Sequence, residues 1–289
     1  MAFEKTMLGR FALCMTLCMT LSFGAAQAQG TQQAAPGHVV SFNLCADQLV
    51  LALADPSQIA GLSPYAADAS LSVMADKARP YRKLDWQAES TIALQPDLVF
   101  VGPNDRSMTR RMLTSQGLRV VETGFVSDLD SARKQIREMA GLLGQKERGE
   151  TLLADLERAR SRLAATARKG GETALVVERG GYTQGPASLA ATLLSEAGLK
   201  PPPGAPAGYG GFIPLEKFLI LKPDLVFLKD PPRAATDQGA MFLVHPAMRD
   251  LYPPERRVAL QTRYTMCGGP ALIAAFDYMA DEMAKLPPR

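Results

Sequence analysis

Histidine is nearly missing from this 289-residue chain: His38 and His245 are the whole supply, beside four cysteines and one tryptophan. A bare zinc or manganese site needs several histidine and carboxylate ligands converging on one point. His38 opens an apolar strand and His245 precedes a proline, so neither is a candidate metal ligand. A G-x-S-x-G elbow, a phosphate-binding G-x-x-x-x-G-K and an H-E-x-x-H helix are likewise absent. No catalytic residue stands out, and the expectation is that the chain is not an enzyme and carries no cofactor of its own. An excess of one charge is lacking too, since 32 basic residues face 29 acidic ones. With no basic stripe interleaved with aromatics, nucleic acid is excluded as a partner.

Long apolar runs are also scarce. The run over 11–23 is shorter than the roughly 20 residues a membrane helix needs. It sits between Lys5 and Arg10 on one side and Ala26-Gln27-Ala28 on the other, the three parts of a secretory signal. Residues 1–28 are therefore expected to be a signal peptide cleaved after Ala28, leaving a soluble periplasmic monomer. Cys14 and Cys18 lie inside that segment without the small residues that precede a lipoprotein cysteine. Cys45 and Cys267 remain, too few for a disulfide scaffold, so the fold must rest on its apolar cores.

What the chain does have is a sentence written twice. Residues 89–102 read E-S-T-I-A-L-Q-P-D-L-V-F-V-G and residues 216–229 read E-K-F-L-I-L-K-P-D-L-V-F-L-K. Each copy is a short amphipathic helix, a Pro-Asp turn and a buried strand. The separation is far too long for a solenoid and suits one α/β lobe per copy. The flanking pattern agrees: strands over 38–42, 59–63, 97–101 and 119–122 alternate with helices after Asn43 and over 88–94 and 107–116. A helix over 128–143 follows. Strands over 173–178, 224–228 and 257–261, with helices over 188–197, 215–221 and 270–285, form the second set, and 200–211 reads as loop. The predicted fold is α/β, two Rossmann-like parallel-sheet lobes at 29–144 and 169–289. A long helix over 145–168, apolar along Leu152, Leu156, Ala159, Leu163 and Ala167, joins them.

Parallel sheets bind ligands beyond the carboxyl ends of their strands. Those ends place Asn43, Tyr65, Arg179, Tyr182, Arg263 and Tyr264 around an interlobe cleft, with Trp86 and Tyr209 nearby. Aromatic faces with arginines suit a large ligand, partly apolar and partly anionic. Cys45 and Cys267 both fall at this cleft. They are open to three readings: a disulfide, thiolate ligands to a soft metal in the ligand, or two half-buried thiols.

The strings V-V-S-F-N-L-C-A-D-Q-L-V-L-A-L at 39–53, I-A-G-L-S at 59–63 and D-W-Q at 85–87, with both E-x6-P-D-L-V-F elements, carry a resemblance. The chain resembles the periplasmic substrate-binding proteins of ABC importers, in the branch that takes cobalamin, ferric siderophores and heme. That resemblance implies capture of a metal-chelate small molecule, a corrinoid or ferric siderophore, and delivery to an ABC importer permease and ATPase complex. It implies that Glu89 and Glu216 dock on the permease and that Tyr65 and Trp86 contact ligand. A heme binder would be expected to show a clear axial tyrosine or histidine, and no position singles itself out. The alternatives are a periplasmic cofactor-handling or chelate-processing enzyme on a similar scaffold, and a binder of a non-metal organic cofactor.

Overall fold

Two sheets organise the computed structural model, which describes residues 35–103, 107–232, 234 and 237–287. The expected signal peptide lies outside the described residues, as do 104–106 and 233 of the loops expected at the cleft. In the first sheet β1 (Val39–Ser41), β2 (Ile59–Gly61), β3 (Leu98–Val101) and β4 (Val120–Glu122) run parallel in the order β2-β1-β3-β4. Its connections hold α1 (Leu44–Leu53), α2 (Ala75–Ala78), α3 (Ala88–Ile92) and α4 (Ser107–Ser115). Helices α5 (Leu129–Leu142) and α6 (Lys146–Ala165) lead on to β5 (Ala174–Val177). The second sheet adds β6 (Tyr182–Gln184), β7 (Gly210–Phe212), β8 (Leu225–Lys229) and β9 (Arg257–Leu260), in the order β7-β6-β5-β8-β9. Helices α7 (Leu189–Glu196), α8 (Leu215–Leu221), α9 (Gln238–Val244) and α10 (Pro246–Leu251) connect them, and α11 (Pro270–Lys285) closes the fold.

Side chains alternate across a strand, and here the alternation sorts the cores. Val39, Leu98 and Phe100 of the first sheet share one buried cluster with Ala174, Val176, Leu225 and Phe227 of the second. Between them lie apolar faces of α1, α5, α6, α7 and α11, so one core runs through both halves. The opposite faces are buried separately, Val40, Val99 and Val101 in one cluster and Leu175, Val177, Val226 and Leu228 in another. Strands buried on both faces must be apolar throughout, which is why both copies read Leu-Val-Phe without alternation. Helix α6 is 20 residues, about 30 Å long, and buries Leu153, Leu156, Ala159 and Leu163.

The repeat is structural as well as textual. Gln95 and Lys222, the residues before the two prolines, both take left-handed backbone (φ 48° and 42°). In each copy the aspartate after the proline ties down the start of the neighbouring strand. Asp97 Oδ2 accepts from the Gly37 and His38 amides (2.7 and 2.8 Å), and Asp224 Oδ2 accepts from the Thr173 amide and hydroxyl (2.8 and 2.9 Å).

One part departs from the sequence expectation. The second sheet is not wholly parallel, because β6 runs antiparallel to both β5 and β7. These two strands come from R-G-G-Y-T-Q-G and from the segment read as loop, G-Y-G-G-F. Their chains approach so closely that a Cβ on Gly210 (φ 126°) would lie 2.3 Å from the Thr183 carbonyl oxygen. Glycine here permits a strand rather than breaking one.

Candidate functional site

Loops from both sheets meet beyond the carboxyl ends of the strands, and a covalent bond marks their junction. Cys45, in the first turn of α1, is joined to Cys267, just before α11, by a disulfide with the Cα atoms 5.1 Å apart. Of the three readings open for these cysteines, the structure shows the bridged one. Around it, Arg263 Nη1 donates to the Ala69 carbonyl oxygen (3.4 Å) and Thr192 Oγ1 to that of Ser127 (3.2 Å), both between the two halves. Gly269, which takes left-handed backbone (φ 58°), sits against Leu49 so closely that a Cβ would lie 2.6 Å from Cδ2.

Above this floor the candidate residues fall into groups. In the first half, Trp86 stacks on Phe42 (centroids 5.9 Å apart) and meets Tyr65 (5.6 Å). Trp86 is left-handed (φ 70°), a conformation that costs a bulky residue about 1–3 kcal/mol. Tyr65 is 49% exposed. In the second half Tyr182 packs edge-on against Phe212 (5.2 Å), and its hydroxyl donates to the Tyr209 carbonyl oxygen (3.3 Å). Tyr209 and Phe212 are 68% and 75% exposed. A cavity of about 410 Å³ opens between the halves, lined by Phe125, Val126 and Ser127 from the first. Ala187, Ser188, Leu189, Tyr209 and Thr265 line it from the second. A smaller cavity of about 240 Å³, between β5 and α7, is lined by residues of the second half alone.

The remaining candidates have other commitments. Asn43 Oδ1 caps α1, accepting from the Cys45 and Ala46 amides (2.9 and 3.1 Å). Arg179 pairs with Asp237, and Tyr264 stacks on Tyr278 of α11 (4.8 Å) beneath the Arg263 guanidinium. Glu89 and Glu216 occupy the first turns of α3 and α8, both exposed, where the helix dipole favours a carboxylate.

Two features escaped the sequence reading. Phe125, 78% exposed, follows β4 and contributes to the cavity. Its signal was available: an aromatic just past a glycine at the carboxyl end of a parallel strand. Beneath the floor, Asp47 of α1 is fully buried, accepting from the Ser63 hydroxyl (2.5 Å) and amide (3.2 Å). Burial pushes its carboxyl up to about 7, against smaller lowering by the Ser63 and Ser41 hydroxyls and by Lys83. No sequence pattern separates this aspartate from a surface one.

The model of a family described as periplasmic binding protein matches residues 39–245. Among curated proteins none matches significantly. Among solved structures, the periplasmic heme-binding protein RhuT from Roseiflexus sp. RS-1 in apo form is similar at 19% identity and TM-score 0.67, covering 86% of this chain and 98% of that one. The periplasmic vitamin B12 binding protein BtuF of Vibrio cholerae is similar at 13% identity and TM-score 0.64, covering 86% and 97%. An ABC-type Fe3+-hydroxamate transport system structure from Saccharomonospora viridis DSM 43017 is similar at 21% identity and TM-score 0.61, covering 86% and 93%.

Proposed function

Because the chain belongs to the periplasmic binding protein family, we propose that it is the solute-binding component of an ABC importer. In this reading it is exported, cleaved after Ala28, and captures a metal-chelate small molecule, a corrinoid or ferric siderophore, as a monomer. It performs no chemistry on that ligand. The lobes are 29–144 and 169–289, and the helix within 145–168 links them. The observation that carries the reading is the cavity built jointly from Phe125 and Val126 on one side and Leu189 and Tyr209 on the other. A site made of two halves holds its ligand between them, and outside this lining each half carries a further aromatic group, Phe42–Trp86–Tyr65 in one and Tyr182–Phe212 in the other, of the kind that suits a large, partly apolar ligand. The ligands for which the similar structures are named, heme, vitamin B12 and Fe3+-hydroxamate, support the metal-chelate class.

Delivery is assigned to Glu89 and Glu216. They open the two copies of one repeat, so a two-fold partner of basic character would meet them in equivalent settings. Reversing both (Glu89→Lys with Glu216→Lys) is expected to abolish uptake in cells while leaving the dissociation constant of the purified protein within about twofold. Uptake that persists would remove the docking role. Lost affinity with intact folding would place the pair in the binding site instead.

A further inference from the structure

The cavity between the halves has a chemical character that narrows its ligand. All of its lining residues are uncharged. Its serine and threonine hydroxyl groups are engaged within the protein: Ser127 Oγ donates to Asp128 Oδ2 (3.2 Å), Ser188 Oγ to the Gly185 carbonyl (2.8 Å) and Thr265 Oγ1 to the Thr262 carbonyl (3.3 Å). Both helix starts that adjoin the lining are capped by the protein: Ser188 Oγ accepts from the Ala191 amide of α7 (3.2 Å) and Asp128 Oδ1 from the Ser131 amide of α5 (2.7 Å). What remains for a ligand is largely the side chains of Phe125, Val126, Ala187, Leu189 and Tyr209.

Among the described residues, most charged groups around the cleft are engaged by partners within the protein. Arg179 pairs with Asp237, and Lys229 pairs with Glu178 (3.0 Å), which also accepts from Gln184. Arg263, outside the cavity lining, donates to the Ala69 carbonyl and the Tyr264 hydroxyl and lies over the Tyr264 ring (5.0 Å). Of the two arginines expected from the sequence to meet an anionic ligand, Arg179 is thus held by a carboxylate, whereas Arg263 meets only neutral acceptors and its buried Nε has no hydrogen-bond partner among the described residues. An anion pressed into this lining would lose its water and gain no counter-charge from the cavity wall, a strongly unfavourable exchange.

Resting on the reading of the chain as a chelate-binding protein, we propose that its ligand is a metal chelate of no net charge that presents an apolar flank to Phe125, Leu189 and Tyr209. A ferric trihydroxamate and a corrinoid fringed by amides share that chemistry. A ferric tris-catecholate, which is trianionic, and iron protoporphyrin, with its two propionates, do not.

The test is calorimetry on the purified protein with four probes: a ferric cyclic trihydroxamate, cyanocobalamin, a ferric tris-catecholate and iron protoporphyrin. Saturable binding is expected for a neutral probe only, and which of the two responds distinguishes the sources. Its dissociation constant is expected to change by less than about twofold between roughly 0.05 and 0.5 M salt, since no charge pair is screened. Phe125→Asp is expected to weaken it by about tenfold or more with the melting temperature unchanged, and Phe125→Leu to retain most of it. Tightest binding by an anionic probe, or weakening by tenfold or more with salt, overturns the neutral class and leaves the chelate reading standing. No saturable binding to any of the four by a folded protein overturns both.

Discussion

Asp47 shows how a single residue can set the conditions under which the site is firm. Its carboxyl is fully buried and hydrogen-bonded to Ser63, at the start of the loop that carries Tyr65. Burial raises it from 3.8 to about 7, so between those values the folded chain holds a proton that the unfolded chain has released. Stability therefore falls as pH rises through that window, by up to roughly 4 kcal/mol, and is flat below it. Asn is nearly isosteric with the protonated acid and keeps a donor and an acceptor for Ser63. Asp47→Asn is expected to flatten the urea midpoint against pH between about 4 and 7, while leaving the dependence contributed by other groups. A midpoint that keeps its full slope in the variant would show that Asp47 is ionised in the fold. Trp86 is a second residue of this kind, a large aromatic held at φ 70° between Phe42 and Tyr65. Its backbone strain persists because those two rings hold it in place.

At the scale of elements, glycine decides what could be foreseen. The β6–β7 pair depends on Gly210, where a methyl group would strike the Thr183 carbonyl oxygen and the φ of 126° is closed to ordinary side chains. Gly210→Ala is expected to lower stability by about 1–3 kcal/mol by denaturant melting and, because Tyr209 precedes it, to weaken ligand binding as well. Unchanged stability would mean the strand pair relaxes freely and does not position Tyr209. The duplicated helix-turn-strand was legible because apolar runs, prolines and aspartates act locally and repeat visibly. The antiparallel β6–β7 pair was not, because a glycine-rich segment reads as loop until a close partner strand gives it a reason to be extended. The same divide runs through the site. Tyr65, Trp86, Tyr182 and Tyr209 could be placed by their loops, whereas the pairing of Arg179 with Asp237 needed a contact between distant segments. The buried setting of Asp47 likewise became visible only when β2 took its place in the sheet, whereas Phe125 had a local signal in the glycine before it.

For the whole molecule, the central fact is that two similar halves share one core and one floor. Helices α1, α5, α6, α7 and α11 bury apolar faces between the sheets, and Cys45–Cys267 ties the start of α1 to the start of α11. Interior packing of this kind resists gradual deformation, so ligand entry is expected to involve the cleft loops more than a swing of one half against the other. The claim that everything else serves is that a metal chelate sits between the halves. Trp86 is the only tryptophan, half-buried between Phe42 and Tyr65, so its emission reports on one place alone, which the proposed function sets at the cleft. The measurement is a fluorescence titration of the purified protein with cobalamin, ferric siderophores and heme, corrected for inner-filter absorption and paired with calorimetry. Saturable quenching of Trp86 by one of these compounds at one equivalent is the predicted result. A folded protein whose Trp86 emission and heat of mixing ignore every metal chelate, yet respond to a metal-free organic molecule, would contradict it.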